Sequence, residues 1–198
     1  MKISMDLIRE LRSKTGVGVM DCKQALLEAG GDIQKAQDIL REKGSVGAIK
    51  RSVRETQEGL ISSYVHSGSK LGVLLELNCE TDFVARTSEF SQLAKELAMQ
   101  IAAMDPLWVK PEDVPEEVIE KEKEIYKKQI QGAGKPEKVV EKIVQGRLEK
   151  YFAQVCLLEQ SYIRDPKLKV KDILAESIAK LGENIRVGRF ARFKVGEE

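Results

Sequence analysis

Apolar positions in the first 43 residues recur with a helical period in three short stretches separated by glycines. Leu7, Ile8 and Leu11 share one face of a helix that Ser4 can cap and that Thr15-Gly16-Val17-Gly18 ends. Cys22, Ala25, Leu26 and Ala29 recur at i, i+3, i+4 and i+7; Gly30-Gly31 supplies the next stop, and Asp32 caps a third helix carrying Ile33, Ala36, Ile39 and Leu40. None of these helices can bury its stripe alone, so residues 1–43 predict a compact three-helix bundle. Its size favours a recognition module over an enzyme.

Residues 44–57 contain Gly47, Lys50, Arg51 and Arg54 with few apolar positions and read as a partly helical linker. The period then changes to two. Leu60–His66 and Leu71–Cys79, joined by Ser67-Gly68-Ser69-Lys70, predict a β-hairpin. Phe90, Leu93, Leu97, Ile101 and Met104 form the apolar face of a following helix that should cover the sheet. Pro106, Pro111 and Pro115 punctuate a connector holding Trp108, and residues 116–131 read as a strongly charged helix. Gly132-Ala133-Gly134-Lys135-Pro136 turns the chain into a helix bearing Val140, Val144, Leu148, Tyr151 and Val155, which makes residues 114–155 a projecting helical hairpin. A connector with Asp165-Pro166 leads to a helix at Val170–Leu181, whose Ile173, Leu174, Ile178 and Leu181 face inward and which Gly182 ends. From Ile185 to Val195, Val187, Ala191, Phe193 and Val195 share one parity against Arg186, Arg192 and Lys194, with Arg189 out of step, a pattern that predicts a strand with one buried face. The fold class is α+β: a bundle at 1–43, a linker at 44–57, and a core domain at 58–198 built on a thin antiparallel sheet of about three strands. So thin a sheet keeps an exposed edge and little burial, which pairing with a second copy would relieve.

Composition narrows the function classes. Lys and Arg (33) nearly balance Asp and Glu (32), leaving a net charge of +1 and no global field that favours nucleic acid. Cys22, Cys79 and Cys156 lie far apart, without a C-x-x-C pair, and read as reduced thiols in apolar surroundings. No uninterrupted apolar stretch is long enough to span a bilayer and the amino terminus lacks a signal-peptide pattern, so a cytoplasmic protein without membrane contact is expected. Gly16-Val17-Gly18-Val19-Met20-Asp21 imitates a dinucleotide fingerprint but follows a helix and ends in Asp where a small residue is needed. Gly132-Ala133-Gly134-Lys135-Pro136 imitates a phosphate loop, yet Gln129 replaces the first glycine and Pro136 the magnesium-binding hydroxyl. The single histidine, His66, has no cysteine or serine at a spacing that suggests a triad, and the acidic run around Glu116–Glu124 alternates with lysines as a solvated helix face does. No catalytic residue, metal or cofactor is expected, and a protein–protein function becomes the default.

Two segments are specific. Leu11-Arg12-Ser13-Lys14-Thr15-Gly16-Val17-Gly18-Val19-Met20-Asp21-Cys22-Lys23-Gln24-Ala25-Leu26 resembles the amino-terminal signature of the elongation factor Ts family, and Asn78-Cys79-Glu80-Thr81-Asp82-Phe83-Val84-Ala85-Arg86 resembles its second signature. Cys156-Leu157-Leu158-Glu159-Gln160 and Lys180-Leu181-Gly182-Glu183-Asn184-Ile185 are similar to further family segments, so the likeness covers essentially the whole chain. The chain resembles the short members, with one hairpin and one Thr-Asp-Phe element; that resemblance implies a homodimer. It also implies a guanine-nucleotide exchange factor that binds elongation factor Tu, GDP-bound and nucleotide-free, and a bundle similar to a ubiquitin-associated domain. By residue match Arg12, Val19 and Met20 would touch the nucleotide-binding domain, Thr81, Asp82 and Phe83 would intrude near the magnesium and phosphates, His66 would meet another domain, and Leu181-Gly182 would lie near the phosphate loop. The alternatives are that Met20 packs in the bundle core and that Phe83 folds back into its own domain. The competing function is an adaptor or scaffold whose bundle binds some other partner.

Overall fold

The computed structural model of the chain describes residues 3–130 and 136–197, with the side chains of Ser45, Val46 and Ile49 excepted. The bundle comprises α1 (Met5–Thr15), α2 (Val19–Glu28) and α3 (Ile33–Arg51). Ser4 caps α1 by accepting the Leu7 N–H at 3.3 Å, and Gly16 closes it with φ of 69°, a left-handed value that suits glycine. Asp32 caps α3 by accepting the Lys35 N–H at 3.1 Å. Ile8, Leu11, Cys22, Ala25, Leu26, Ala36 and Leu40 form the buried centre, with Leu7, Val17, Ala29, Ile33 and Ile39 packed around it. The predicted stripes are therefore those that meet. The third helix runs on to Arg51.

Strands β1 (Glu58–Val65) and β2 (Leu71–Cys79) form the predicted hairpin. Its turn is closed by the His66 N–H on the Leu71 carbonyl at 2.8 Å, with Gly68 and Ser69 at positive φ. Gly59 is required in β1, because a Cβ there would stand 2.2 Å from the Leu77 carbonyl oxygen. A short helix, α4 (Asp82–Ala85), precedes α5 (Ser88–Met104), in which Phe90, Leu93, Leu97 and Ile101 are buried while Met104, at the last turn, is exposed. Helices α6 (Glu116–Ile130) and α7 (Glu137–Val155) form the predicted hairpin of helices; the turn expected at residues 132–136 lies, except for Pro136, outside the described residues. The segment read as a connector around Asp165-Pro166 instead pairs β3 (Ser161–Tyr162) with β4 (Asp165–Lys169) as a small antiparallel ladder. Its proline is tolerable because a two-stranded ladder has only edge positions. Helix α8 (Val170–Leu181) and strand β5 (Arg186–Lys194) complete the chain.

The antiparallel sheet has the order β1-β2-β5. Val73, Leu75, Leu77 and Cys79 are buried on one face of β2, while Leu74 is exposed on the other. In β5 the expected buried parity does not hold. Val187 is buried, but alternation then slips by one residue: Gly188, Phe190 and Arg192 are half-buried, whereas Ala191, Phe193 and Val195 are exposed, Phe193 by 68%. The apolar pattern was real, yet no other part of the described chain covers these residues.

The chain divides into two units. The first comprises Met1–Ser62, Glu76–Ala94 and Asp172–Val187; outside the bundle its buried side chains include Leu77, Phe90, Ile178 and Ile185. Arg41 of α3 and Glu176 of α8 approach to 3.8 Å within it. The second comprises Ser63–Leu75, Lys95–Lys171 and Gly188–Glu198. It contains a fully buried amide pair: Gln100 donates to the Gln160 side-chain oxygen at 3.2 Å and to the Ser161 carbonyl at 3.1 Å, while Gln160 donates to the Met104 and Gln154 carbonyls. Buried amides so bonded tie the β3 segment to α5 and α7 without an unsatisfied donor.

Candidate functional site

The Thr81-Asp82-Phe83 segment sits where β2 gives way to α4. Thr81 has an extended backbone (φ −131°, ψ 155°) and caps α4 by accepting the Val84 N–H. Thr87 repeats the arrangement four residues past Phe83, accepting the Phe90 N–H at 3.2 Å as α5 begins. Between the two caps the chain can present only one turn of helix. Val84 and Ala85 are half-buried and hold that turn down, so Phe83 points outward and is 80% exposed. The reading in which Phe83 folds back into the core is thereby excluded. Asp82 pairs with Arg86 at 2.8 Å, both partly exposed, a contact of small energetic value that keeps a carboxylate beside the ring.

A second layer of bonds fixes the corner. Glu183 accepts the backbone N–H groups of Glu80 and Thr81 on one carboxylate oxygen, at 3.1 and 3.0 Å, and the Thr81 hydroxyl on the other at 2.6 Å. Glu80 reciprocates by accepting the Asn184 N–H at 2.6 Å, and the Arg54 guanidinium stands 3.3 Å from the same Glu80 oxygen. The Asn184 side chain, 4% exposed, donates to the Arg54 carbonyl at 2.7 Å. Beneath the corner the Cys79 thiol donates to the Thr81 carbonyl at 3.1 Å, and burial pushes its pKa up to about 11, so it remains a neutral donor at physiological pH.

Leu181 and Gly182 immediately precede Glu183, and Gly182 closes α8 with φ of 80°. That left-handed residue turns the chain so that Glu183 reaches the corner. The first unit thus contains every expected site residue except His66. Within it Glu183 links Thr81–Phe83 to Leu181-Gly182 directly. Arg12, Val19 and Met20 occupy the bundle surface; Met20 is 72% exposed and adds nothing to the bundle core, which excludes the packing reading for that residue. His66 lies in the second unit, at the hairpin turn, exposed and with Nδ1 2.8 Å from the Tyr64 hydroxyl.

The residues missed from sequence are Glu80, Glu183, Asn184 and Arg54. Glu80, Glu183 and Asn184 fall inside segments that resemble the family, but nothing in spacing marks them as bonded to one another. A cleft of about 320 Å³ in the same unit is lined by Lys14, Asp38, Arg41, Asp172 and Glu176 among others, with no serine, cysteine or histidine in its wall. Among the described residues no group of three or more His, Cys, Asp or Glu side chains is arranged to hold a metal ion, and no helix is long and apolar enough to cross a membrane.

Comparison with known proteins agrees with this architecture. The family model described as Elongation factor TS matches residues 22–197. The chain is 64% identical over 197 residues to Elongation factor Ts of Thermotoga petrophila, covering 100% of this chain and 98% of that protein. It is 62% identical to the protein of the same name from Thermotoga maritima and 58% identical to that from Thermodesulfovibrio yellowstonii, with the same two coverages in each case. With a matching family model over most of its length and relatives this similar end to end, the chain belongs to the elongation factor Ts family of translation factors.

Proposed function

We propose that this chain is a guanine-nucleotide exchange factor that binds elongation factor Tu and promotes GDP release, with the Thr81-Asp82-Phe83 corner as the intruding element. The observation that carries the reading is an 80% exposed phenylalanine beside a carboxylate, on a turn anchored from behind. Left in water, such a ring gains nothing for the chain that bears it; inserted into a partner pocket, it is the kind of rigid aromatic anchor that dominates interface energies. Arg12, Val19 and Met20 on the bundle would supply the docking surface, and His66 and Leu181-Gly182 further contacts.

The mechanism needs no bond chemistry in this chain. A GTPase holds its nucleotide through phosphate contacts and a bridging magnesium ion, so an intruder that shifts the metal's surroundings removes part of that affinity. Linkage makes the effect reciprocal: the factor binds the empty GTPase more tightly than the loaded one, by about 1.4 kcal/mol for each tenfold loss of nucleotide affinity. GTP then displaces the factor by the same coupling. The protein acts in the cytoplasm, as a binding protein without cofactor or nucleic-acid contact of its own.

The exposed sheet face supports a homodimer. Val65, Leu74, Phe193 and Val195 are exposed apolar residues on the strands and just beyond the end of β5, and a second copy would cover them. Stopped-flow release of a fluorescent GDP analogue from elongation factor Tu tests the exchange reading. The chain accelerates release if the reading holds, and leaves the off-rate unchanged if it is an adaptor for another partner.

A further inference from the structure

We propose that Glu183 is the positioning residue of the exchange site: it touches no partner itself, but sets the geometry in which Thr81-Asp82-Phe83 is presented. The inference rests on the exchange reading and adds a residue whose only assigned contacts lie behind the corner.

Three donors converge on the Glu183 carboxylate, two backbone N–H groups and the Thr81 hydroxyl, across more than 100 residues of sequence. A carboxylate is the side chain suited to this task because both its oxygens only accept. The Thr81 hydroxyl gains a fixed polarity as a result. It donates to Glu183 and so has its lone pairs free for the Val84 N–H, the bond that starts α4 one residue before Phe83. Such charge-assisted bonds are stronger than neutral ones. Gly182 and the reciprocal Glu80–Asn184 bond hold Glu183 in place, so the corner is fixed from both sides.

Phe83 itself contributes little to its own orientation, since it is mostly in water. The ordering of the corner is therefore supplied from behind, before any partner arrives, and is not charged against binding. Removing Glu183 frees a turn of four residues whose only other capping group is a threonine that has lost its fixed polarity. Glutamine restores it only in part: its one carbonyl oxygen can accept the two backbone N–H groups, but its NH₂ then donates to the Thr81 hydroxyl, which reverses that bond and removes the charge assistance.

The test compares wild type, E183A, E183Q, T81V and the E183A/T81V double variant. Each is titrated against elongation factor Tu carrying a fluorescent GDP analogue, with the release rate followed to saturation and folding checked by circular dichroism. E183A is expected to keep a folded spectrum and to lower the release rate at saturation by about tenfold or more, equivalent to about 1.4 kcal/mol. E183Q is expected to lie between wild type and E183A, and the double variant to lose less than the product of the two single effects, because both changes break the Thr81–Glu183 bond. A merely structural role would reduce the active fraction but leave the saturating rate intact. The inference is overturned if E183A or E183Q saturates at the wild-type rate, or if the effects of E183A and T81V multiply. Should E183A not fold, the isosteric E183Q decides alone. If wild type itself fails to accelerate release, the exchange reading falls; if wild type accelerates and both Glu183 variants do so equally, only this inference falls.

Discussion

Replacing Phe83 with alanine separates the cost of folding from the cost of recognition. Only about a fifth of the residue is removed from water in the free chain, which is 80% exposed at this position. Full burial of a phenylalanine side chain stabilises by roughly 3 kcal/mol at most, so the folded state should lose no more than about 0.6 kcal/mol. For a chain of this length that corresponds to a fall in melting temperature of about 1–3 °C. If the remaining four-fifths enters a pocket on the partner, about 1.2–2.4 kcal/mol of interaction is lost, or roughly an eight- to sixtyfold fall in the efficiency of GDP release. Thermal melting and stopped-flow exchange on the same preparation measure both quantities. A melting temperature lowered by ten degrees would mean that Phe83 supports the fold; exchange within twofold of wild type would mean that it is not the wedge. Either result refutes the reasoning.

Other expected outcomes follow from burial and surface chemistry. If the proposed homodimer forms through the uncovered sheet face, Leu74→Lys or Phe193→Lys places a charge in its interface and should lower the mass in light scattering from dimer to monomer without changing the circular dichroism spectrum; a wild-type chain of monomer mass would refute the dimer, and a variant of unchanged dimer mass would place the interface elsewhere. Burial pushes the Cys79 and Cys156 thiols up to about 11 and, together with the Glu96 hydrogen bond, the Tyr162 hydroxyl to about 12. The unfolded chain then releases these protons at lower pH than the folded one does, so stability is complete below pH 9 and falls as pH rises from about 9 to 11 for the thiols. Melting temperatures that stay flat across that window would contradict the assignment, as would rapid modification of either thiol by a disulfide reagent at pH 8.

Elements that bury their pattern within one chain were legible in the sequence. The glycine-separated stripes of α1 to α3, the hairpin around Gly68 and the α5 face through Ile101 all satisfy themselves locally, and period alone identifies them. Strand β5 was misread in one respect because periodicity reports that a residue avoids water, not what covers it; Phe193 and Val195 are apolar yet exposed. The β3–β4 ladder was missed since two residues opposite a proline-containing strand carry no alternation worth reading. At the proposed site, Thr81, Asp82 and Phe83 were named through family resemblance, while Glu183 was not, being one of 32 acidic residues and bonded to positions remote in sequence. Local chemistry is visible in a chain; a carboxylate that works at long range becomes visible only when the chain is folded.

The central claim is thermodynamic coupling between this chain and the nucleotide on its partner. Calorimetric titration of the chain into elongation factor Tu, once empty and once loaded with GDP, tests it most directly. The account predicts that the empty form binds more tightly, by the same factor by which the bound chain weakens GDP. Equal Kd values for the two forms would contradict it.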